Sequence, residues 1–350
     1  MTIGVALVGS GMHLENIPAV QACSSLTLKA IYSRSLKSAQ SLSSSLPDTS
    51  GITLYSDDSE HSYDALLSNP DVHAVIIALP IPAQPEYIKA ALKAGKHVLS
   101  EKPIAKDMAT AQSLLSWYHS SISTSPSAPT WSVAENFRYM QRFQYAGQQV
   151  QKLGRVLGFR HRMHAFVAPG SKYYETSWRK TPKYQGGFLL DGGVHFIAGL
   201  RLMLGGADGD AGKMETVSAF SAQLQKHLSP VDTVNASVKL RNGASGTFSV
   251  SFGTTFTGAE WIVACEQGTV ECDRDRVIVR RKDSEKEEVK EFPDDGNGVV
   301  QEVRAWAEAI EQGKQDQLQS PEEALRDLEI LEAMLKSGEA NGAPVQLKLQ

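Results

Sequence analysis

The sequence predicts two domains of different class, an α/β domain with a doubly wound parallel sheet and an α+β domain on a large mixed or antiparallel open sheet. In residues 1–125, apolar strand-like runs alternate with helix-like spacing. Residues 126–350 contain consecutive strand-like runs separated by Gly or Asn turns. A chain of 350 residues is long enough for two hydrophobic cores. We therefore place the predicted domain boundary after residue 125.

The fold class of the N-terminal domain is predicted from the order of its strands and helices. Strands at regular intervals with helices between them imply parallel strands joined by crossover helices. The predicted strands are 4–8, 28–33, 74–79 and 97–99. The predicted helices are 17–23, 36–46, 63–67, 85–94 and 108–118. A segment rich in Ser, Pro and Thr, 120–130, is expected to be a surface loop.

The C-terminal domain is predicted from a run of consecutive strands, which favours an open, mainly antiparallel sheet. The predicted strands are 156–166, 216–222, 233–240, 244–252, 260–264, 269–272 and 277–281, and the predicted helices are 186–204, 299–312 and 321–336. Ser320, Pro321 and Glu323 form a capping-box pattern at the start of the last helix. If helices cover one face of this sheet, the other face can pair with a second copy of the chain. We therefore expect a homodimer or a dimer of dimers.

Composition and charge exclude several classes of partner. The net charge is −4 and no basic tract is available to neutralise phosphates, which argues against nucleic acid and anionic membranes. No apolar run approaches the roughly 20 residues that span a bilayer. The first strand starts at once without a secretory signal, and the three cysteines lack metal spacing. We expect a cytoplasmic protein without a metal site.

The first strand runs into a glycine-rich turn at Gly9, Ser10 and Gly11, followed by Met12. Glycines at this place allow a tight turn and a close approach of the backbone to a pyrophosphate. Leu14 stands where a third glycine is usual, so the fingerprint is incomplete. Its position at the first strand of an alternating half nevertheless favours a Rossmann-type dinucleotide site.

The end of the second strand predicts which dinucleotide is bound. NAD-binding domains usually carry an acidic residue there to hold the ribose 2′-hydroxyl. This chain instead has Ser33, Arg34 and Ser35, with Lys37 two residues beyond. Hydroxyls and cations suit a 2′-phosphate, which favours NADP(H) over NAD(H). The alternative is that Arg34 is an ordinary solvated side chain.

Two further motifs carry proton chemistry. Glu101 and Lys102 stand between an apolar strand and Pro103, where an ammonium usually faces a cleft. Asp191 and His195 are four residues apart, hence on one face of a helix. Lys, Asp and His together suit moving a proton on and off a substrate oxygen. The alternatives are a surface Lys102–Glu101 pair, a core histidine, and an acid placed by the helix dipole.

The chain resembles, over its whole length, the glucose–fructose oxidoreductase, inositol dehydrogenase and rhizopine-catabolism (Gfo/Idh/MocA) family. The motifs that carry the resemblance are residues 9–11, 78–80, 94–103, 178–179 and 186–195; residues 134–139 and 176–182 look most like a fungal, NADP-dependent branch. The resemblance implies that Lys102 lies near the nicotinamide and the substrate hydroxyl, that His195 is the acid/base and that Asp191 orients the substrate or the catalyst. A histidine is frequent near Gln84 in the family, and an acidic residue is frequent at the position of Ala198.

Further contacts are expected around the reaction centre, some from the family motifs and some from residues that follow the probable strand 131–134. Further cofactor contacts are expected at Leu79, Pro80, Gln84, Glu101, Lys102, Trp178 and Arg179. Substrate contacts are expected at Asn136, Arg138, Tyr174, Asp191 and His195. The alternatives are a solvated strand end after 131–134 and a packing role for Trp178. His161 and His164 are expected to be exposed or interface residues rather than ligands.

Together these patterns predict an NADP(H)-dependent oxidoreductase. It would transfer a hydride between the nicotinamide and a secondary alcohol or ketone carbon of a small polar substrate, such as a sugar or polyol. The site is expected at the carboxyl ends of the parallel strands, closed by the 170–200 region. One alternative is a non-catalytic sensor of NADP(H), because fold does not fix function. A non-sugar carbonyl or imine substrate is another.

Overall fold

The computed structural model describes residues 2–9, 16–171, 174–175, 177–205 and 209–350, with only the backbone described at residue 177. These residues divide into two compact units. Unit 1 comprises Met1–Glu135 and Val299–Leu325, and unit 2 comprises Asn136–Gly298 and Arg326–Gln350.

Unit 1 contains a parallel sheet of six strands in the order β3-β2-β1-β4-β5-β6. Its strands are β1 (Ile3–Val8), β2 (Leu26–Ser33), β3 (Thr53–Ser56), β4 (Ala74–Ile77), β5 (His97–Glu101) and β6 (Trp131–Ala134). Its helices before β6 are α1 (Asn16–Ala22), α2 (Leu36–Ser43), α3 (Tyr63–Leu67), α4 (Gln84–Lys93) and α5 (Met108–Ser121). This strand order is that of doubly wound dinucleotide-binding domains. The predicted fold class of the N-terminal domain is confirmed.

Unit 2 contains a sheet of nine strands in the order β14-β13-β12-β11-β7-β10-β9-β8-β15. The strands are β7 (Val156–His164), β8 (Met214–Ala222), β9 (Thr233–Leu240), β10 (Ser245–Ser251), β11 (Gly258–Cys265), β12 (Gly268–Cys272), β13 (Arg276–Arg281), β14 (Glu287–Glu291) and β15 (Val345–Gln346). The β7–β10 pair is parallel and the other pairs are antiparallel. The predicted mixed or antiparallel sheet is confirmed as a mixed one.

Among the described residues, five α-helices follow β6 along the chain. They are α6 (Gln141–Lys152), α7 (Ser177–Lys180), α8 (Gly187–Leu204), α9 (Val299–Glu311) and α10 (Pro321–Glu339). The most apolar is α8, which has the length and composition of a membrane span, yet 78% of it is buried inside the protein. It packs closely because glycines replace larger side chains: a Cβ on Gly199 would lie 2.9 Å from the Phe143 ring.

The division into units differs from the predicted boundary at residue 125. Strand β6 completes the parallel sheet of unit 1, so this unit extends to Glu135. The chain also returns to unit 1 near its end, because Val303, Trp306 and Ala307 of α9 join the buried cluster around α1. The packing of distant segments, which a linear boundary does not capture, produces both differences.

Candidate functional site

The first strand of unit 1 ends in a turn that requires glycine. Gly9 has φ +113°, and a Cβ there would lie 2.3 Å from the carbonyl oxygen of Ala78. Its N–H donates to the carbonyl of Tyr32, 2.8 Å away, so the ends of β1, β2 and β4 come together at this point. A side chain at residue 9 would force them apart. The predicted contacts Ser10, Gly11 and Met12 lie outside the described residues.

The turn after β2 presents two cations and a helix N-terminus. Ser33 is buried at the strand end, and the Oγ of Ser35 caps α2 by accepting from the N–H of Ser38 at 3.3 Å. Arg34 and Lys37 are exposed, and neither forms an ion pair within the described ranges. Two exposed cations beside a capped helix N-terminus form surroundings that suit a phosphate.

A carboxylate that was not predicted also takes part in this turn. The N–H of Leu36 donates to Oδ1 of Asp58 over 2.7 Å. Hydrogen bonds from the Ser56 side chain and the Leu36 N–H hold the pKa of Asp58 below its usual value. Asp58 lies just beyond β3, a strand of four residues that was not predicted from the sequence. Asp58 therefore connects the two loops at this edge of the sheet.

The turn after β4 places Leu79, Pro80 and Gln84 at the same edge. Leu79 and Pro80 are half-buried, whereas the Gln84 side chain is buried. Nε2 of Gln84 donates to the carbonyl of Leu79 at 3.2 Å, and the N–H of Ala83 donates to that of Pro80 at 2.8 Å. Gln84 thus stabilises the turn. Its predicted contact with the cofactor stays a prediction.

Strand β5 brings Glu101 and Lys102 to the carboxyl edge of the parallel sheet. The strand includes Glu101 and is two residues longer than predicted, and Lys102 follows it directly, before a cis peptide bond to Pro103. Both side chains are half-buried. In unit 1, Gly9, Leu79 and Lys102 accordingly follow the ends of neighbouring strands, where open α/β sheets bind their ligands.

In unit 2, helix α8 carries the predicted Asp191 and His195 one turn apart. Asp191 is 6% exposed, and its Oδ2 accepts from Nε of Arg179 at 2.8 Å. The Arg179 guanidinium also lies 4.3 Å from the centre of the Trp178 ring. A buried carboxylate without a partner would be costly, so Arg179 permits the burial of Asp191 as an ion. Arg179, predicted to contact the cofactor, is bound to Asp191, and sequence reasoning did not predict this pair.

His195 is held by an aromatic layer. Its ring stacks on Phe137, with centroids 4.9 Å apart and planes 16° apart, and Phe137 stacks in turn on Phe143. The imidazole is half-buried, unlike a core side chain. Face-to-face packing fixes the plane of the imidazole and therefore the directions in which its two ring nitrogens point.

Three predicted substrate contacts have different surroundings. Asn136 donates from Nδ2 to the carbonyl of Asn297 over 2.5 Å. Tyr174 is half-buried, with its ring edge-on to that of His227. Arg138 is only 2% exposed and its guanidinium is bound to Asp327, which also accepts from Arg201. This buried ion cluster argues against the predicted substrate contact of Arg138, because a guanidinium with so little surface has no room for a ligand.

The expectation for His161 was wrong. Its side chain is fully buried, with Nδ1 donating to the carbonyl of Glu260 at 3.0 Å and its ring packed against Phe248 and Trp261. The expectation came from the alternation of His161 and His164 with Arg160 and Arg162 along the strand. These arginines lie on the opposite face of the strand. Within the described ranges, His, Cys, Asp and Glu form no group of three or more that could hold a metal.

Comparison with known proteins identifies the class defined by these two units. Residues 3–121 match the model of the oxidoreductase family NAD-binding Rossmann fold, and residues 148–347 match the Gfo/Idh/MocA C-terminal alpha/beta domain. The class is that of oxidoreductases with a nicotinamide-dinucleotide-binding domain. The chain belongs to the Gfo/Idh/MocA oxidoreductase family.

Individual relatives span nearly the whole chain. Dehydrogenase FPY6 of Fusarium mangiferae is 40% identical over 99% of this chain and 100% of its own length. D-xylose 1-dehydrogenase (NADP(+)) 2 of Haloferax volcanii is 26% identical over 95% of each chain. The crystal structure of an oxidoreductase from Thermotoga maritima superposes with a TM-score of 0.85 at 27% identity, over 99% of this chain and 98% of that one.

Proposed function

We propose that the protein is an NADP(H)-dependent oxidoreductase that interconverts a secondary alcohol of a sugar or polyol with the ketone or lactone. The observation that carries the proposal is the buried Arg179–Asp191 ion pair one helical turn before the half-buried His195. It fixes a carboxylate on the same face of α8 as the imidazole. The D-xylose 1-dehydrogenase relative supports the substrate class.

The proposed roles follow from the chemistry of each side chain. When bound, the dinucleotide accepts or supplies the hydride. His195 takes the hydroxyl proton as the substrate is oxidised and returns it in reduction. The Lys102 ammonium stabilises negative charge developing on the substrate oxygen. Asp191, held by Arg179, orients the substrate.

The preference for NADP(H) is supported by the turn after β2. Arg34 and Lys37 are exposed cations, and the hydroxyl of Ser35 caps the adjoining helix. A 2′-phosphate would receive charge-assisted hydrogen bonds there, whereas a ribose 2′-hydroxyl would find no acidic side chain in the sequence 33–37.

The experiment uses Lys102→Met and His195→Ala, assayed with a panel of sugars and polyols and NADP⁺. Turnover should fall by at least ~100-fold in each variant, because a proton donor or a charge stabiliser is lost. Binding of NADPH, followed by its fluorescence, should persist. Lys106→Met, which removes an exposed lysine near Asp107, is the matched control and should keep full turnover.

Unchanged turnover in both variants would contradict the assigned roles. Tight binding of NADPH by the wild type without turnover of any compound in the panel would instead favour the sensor alternative.

A further inference from the structure

Tyr184 carries a buried hydroxyl that has no hydrogen-bond partner among the described residues. It lies between α7 and α8, its side chain is 9% exposed, and among the described residues no atom forms a hydrogen bond with its hydroxyl. Leaving a buried polar group unsatisfied is destabilising, and buried tyrosines usually find a partner. The hydroxyl therefore calls for an explanation.

Other buried tyrosines in the described ranges follow the usual rule. The Tyr118 hydroxyl accepts from the N–H of Trp131 at 3.2 Å and donates to the carbonyl of Pro129 at 3.4 Å. The Tyr63 hydroxyl donates to the carbonyl of Tyr87 at 3.1 Å. Tyr184 is thus an exception within this fold.

The surroundings of Tyr184 are those of the candidate site. Its ring lies 6.4 Å from that of Trp178, over which the Arg179 guanidinium is placed, and Arg179 binds Asp191. Burial raises the pKa of Tyr184, and the charge of Asp191 raises it further while that of Arg179 lowers it. The phenol therefore stays protonated at neutral pH and remains a hydrogen-bond donor beside this ion pair.

We propose that Tyr184 is a specificity-determining residue that donates a hydrogen bond to a second oxygen of the substrate, besides the one that reacts. The inference rests on the proposed function and adds that the site recognises a second oxygen of the sugar or polyol. A site with a buried donor rejects an analogue that lacks the matching oxygen, because the donor is then left unpaired. Simple secondary alcohols should accordingly be poor substrates.

The test compares wild type with Tyr184→Phe on the best sugar or polyol of the panel. The KM of the substrate should rise roughly 10-fold or more, since one buried hydrogen bond is lost, while the KM of NADP⁺ stays unchanged. The melting temperature should hold or rise, because phenylalanine removes an unsatisfied hydroxyl. If Tyr184 had a purely structural role, Tyr184→Phe would lower the melting temperature and leave the substrate KM unchanged.

Tyr118→Phe is the matched control, because it removes a buried hydroxyl that is bonded within unit 1. It should lower the melting temperature and leave the substrate KM unchanged. Monodeoxy analogues of the substrate provide a second control. For one of them, wild type and Tyr184→Phe should have the same KM, since the oxygen that Tyr184 binds is already missing.

An unchanged substrate KM in Tyr184→Phe would overturn the inference. If the melting temperature also fell, as in Tyr118→Phe, the role of Tyr184 would be structural. If the wild type oxidises no sugar or polyol, the proposed function fails first, and this inference falls with it. The wild-type assay alone therefore distinguishes the two failures.

Discussion

Two histidines of unit 2 show how burial decides the role of the same side chain. His195 is half-buried and stacked on one aromatic ring, whereas His161 is fully buried among several. The Nδ1–H of His161 donates to a carbonyl, and Nε2 has no partner among the described residues. A neutral ring leaves only a lone pair unsatisfied, but a protonated ring would bury an unpaired N–H as well as a charge.

The state of His161 makes stability depend on pH. Burial lowers its pKa from 6.5 to about 3, so the unfolded chain binds the proton first as the pH falls. Below pH 6.5 wild type should therefore lose about 1.4 kcal/mol of unfolding free energy per pH unit relative to His161→Phe. Urea denaturation of both proteins between about pH 7 and about pH 4 measures this difference.

Phe248→Leu is the control for His161→Phe, because it disturbs the ring packed against His161 without removing a titrating group. Its unfolding free energy should differ from that of wild type by a constant amount at every pH. Parallel curves for wild type and His161→Phe would show that His161 does not titrate as proposed.

At the level of elements, the turn between β2 and α2 supports the preference for NADP(H). Arg34→Ala should raise the KM of NADP⁺ by about 10-fold or more, because a charge-assisted hydrogen bond contributes about 1.5–3 kcal/mol. The KM of NAD⁺, which lacks the 2′-phosphate, should change little. Steady-state kinetics with both cofactors measures the difference.

Lys314→Ala removes an exposed lysine of unit 1 and serves as the control for Arg34→Ala. Lys314→Ala should change the KM of neither NADP⁺ nor NAD⁺. If Arg34→Ala raised the KM of NADP⁺ and of NAD⁺ equally, the effect would be a general one on the turn. The support for a 2′-phosphate site would then be removed.

The elements that could be predicted from the sequence are those with a strong apolar period or a specific terminus. Strand β1, buried at all its residues, and the capping box of α10, where the Glu323 N–H donates to the Ser320 Oγ at 3.3 Å, are examples. Strand β14 could not be predicted, because all its residues are exposed and no apolar alternation remains. The amphipathic α6 was overlooked, although its buried Phe143, Ala146 and Val150 follow helical spacing.

The part of the candidate site that could be predicted is the part that depends on local spacing along the sequence. Asp191 and His195 are four residues apart on one helix, so their shared face follows from helix geometry. The Arg179–Asp191 pair joins residues that are twelve positions apart and lie on different helices. Tyr184 is distinguished by a hydroxyl that has no hydrogen-bond partner among the described residues. Local spacing does not predict either feature. They depend on tertiary packing.

At the scale of the whole molecule, the nine-stranded sheet has two unequal faces. One face packs on helices; Trp261, for example, donates from Nε1 to the carbonyl of Phe196 in α8 at 3.1 Å. The other face carries Ser237, Thr247 and Arg160, which lie opposite one another in register and are all exposed. Phe220, on a strand near the edge of the sheet, is 67% exposed. A sheet with one face packed on helices leaves its other face available to pair with another protein.

We propose that this exposed face joins two copies of the chain. Light scattering after gel filtration should then give twice the chain mass of 38.0 kDa. Thr247→Lys should convert the dimer to a monomer, because the new ammonium would face Arg160 in register and would be buried beside a like charge. Ser125→Lys, in an exposed loop of unit 1, is the control and should leave the mass unchanged. A monomeric wild type would contradict the proposed dimer, and a Thr247→Lys variant that stays dimeric would place the subunit contact elsewhere.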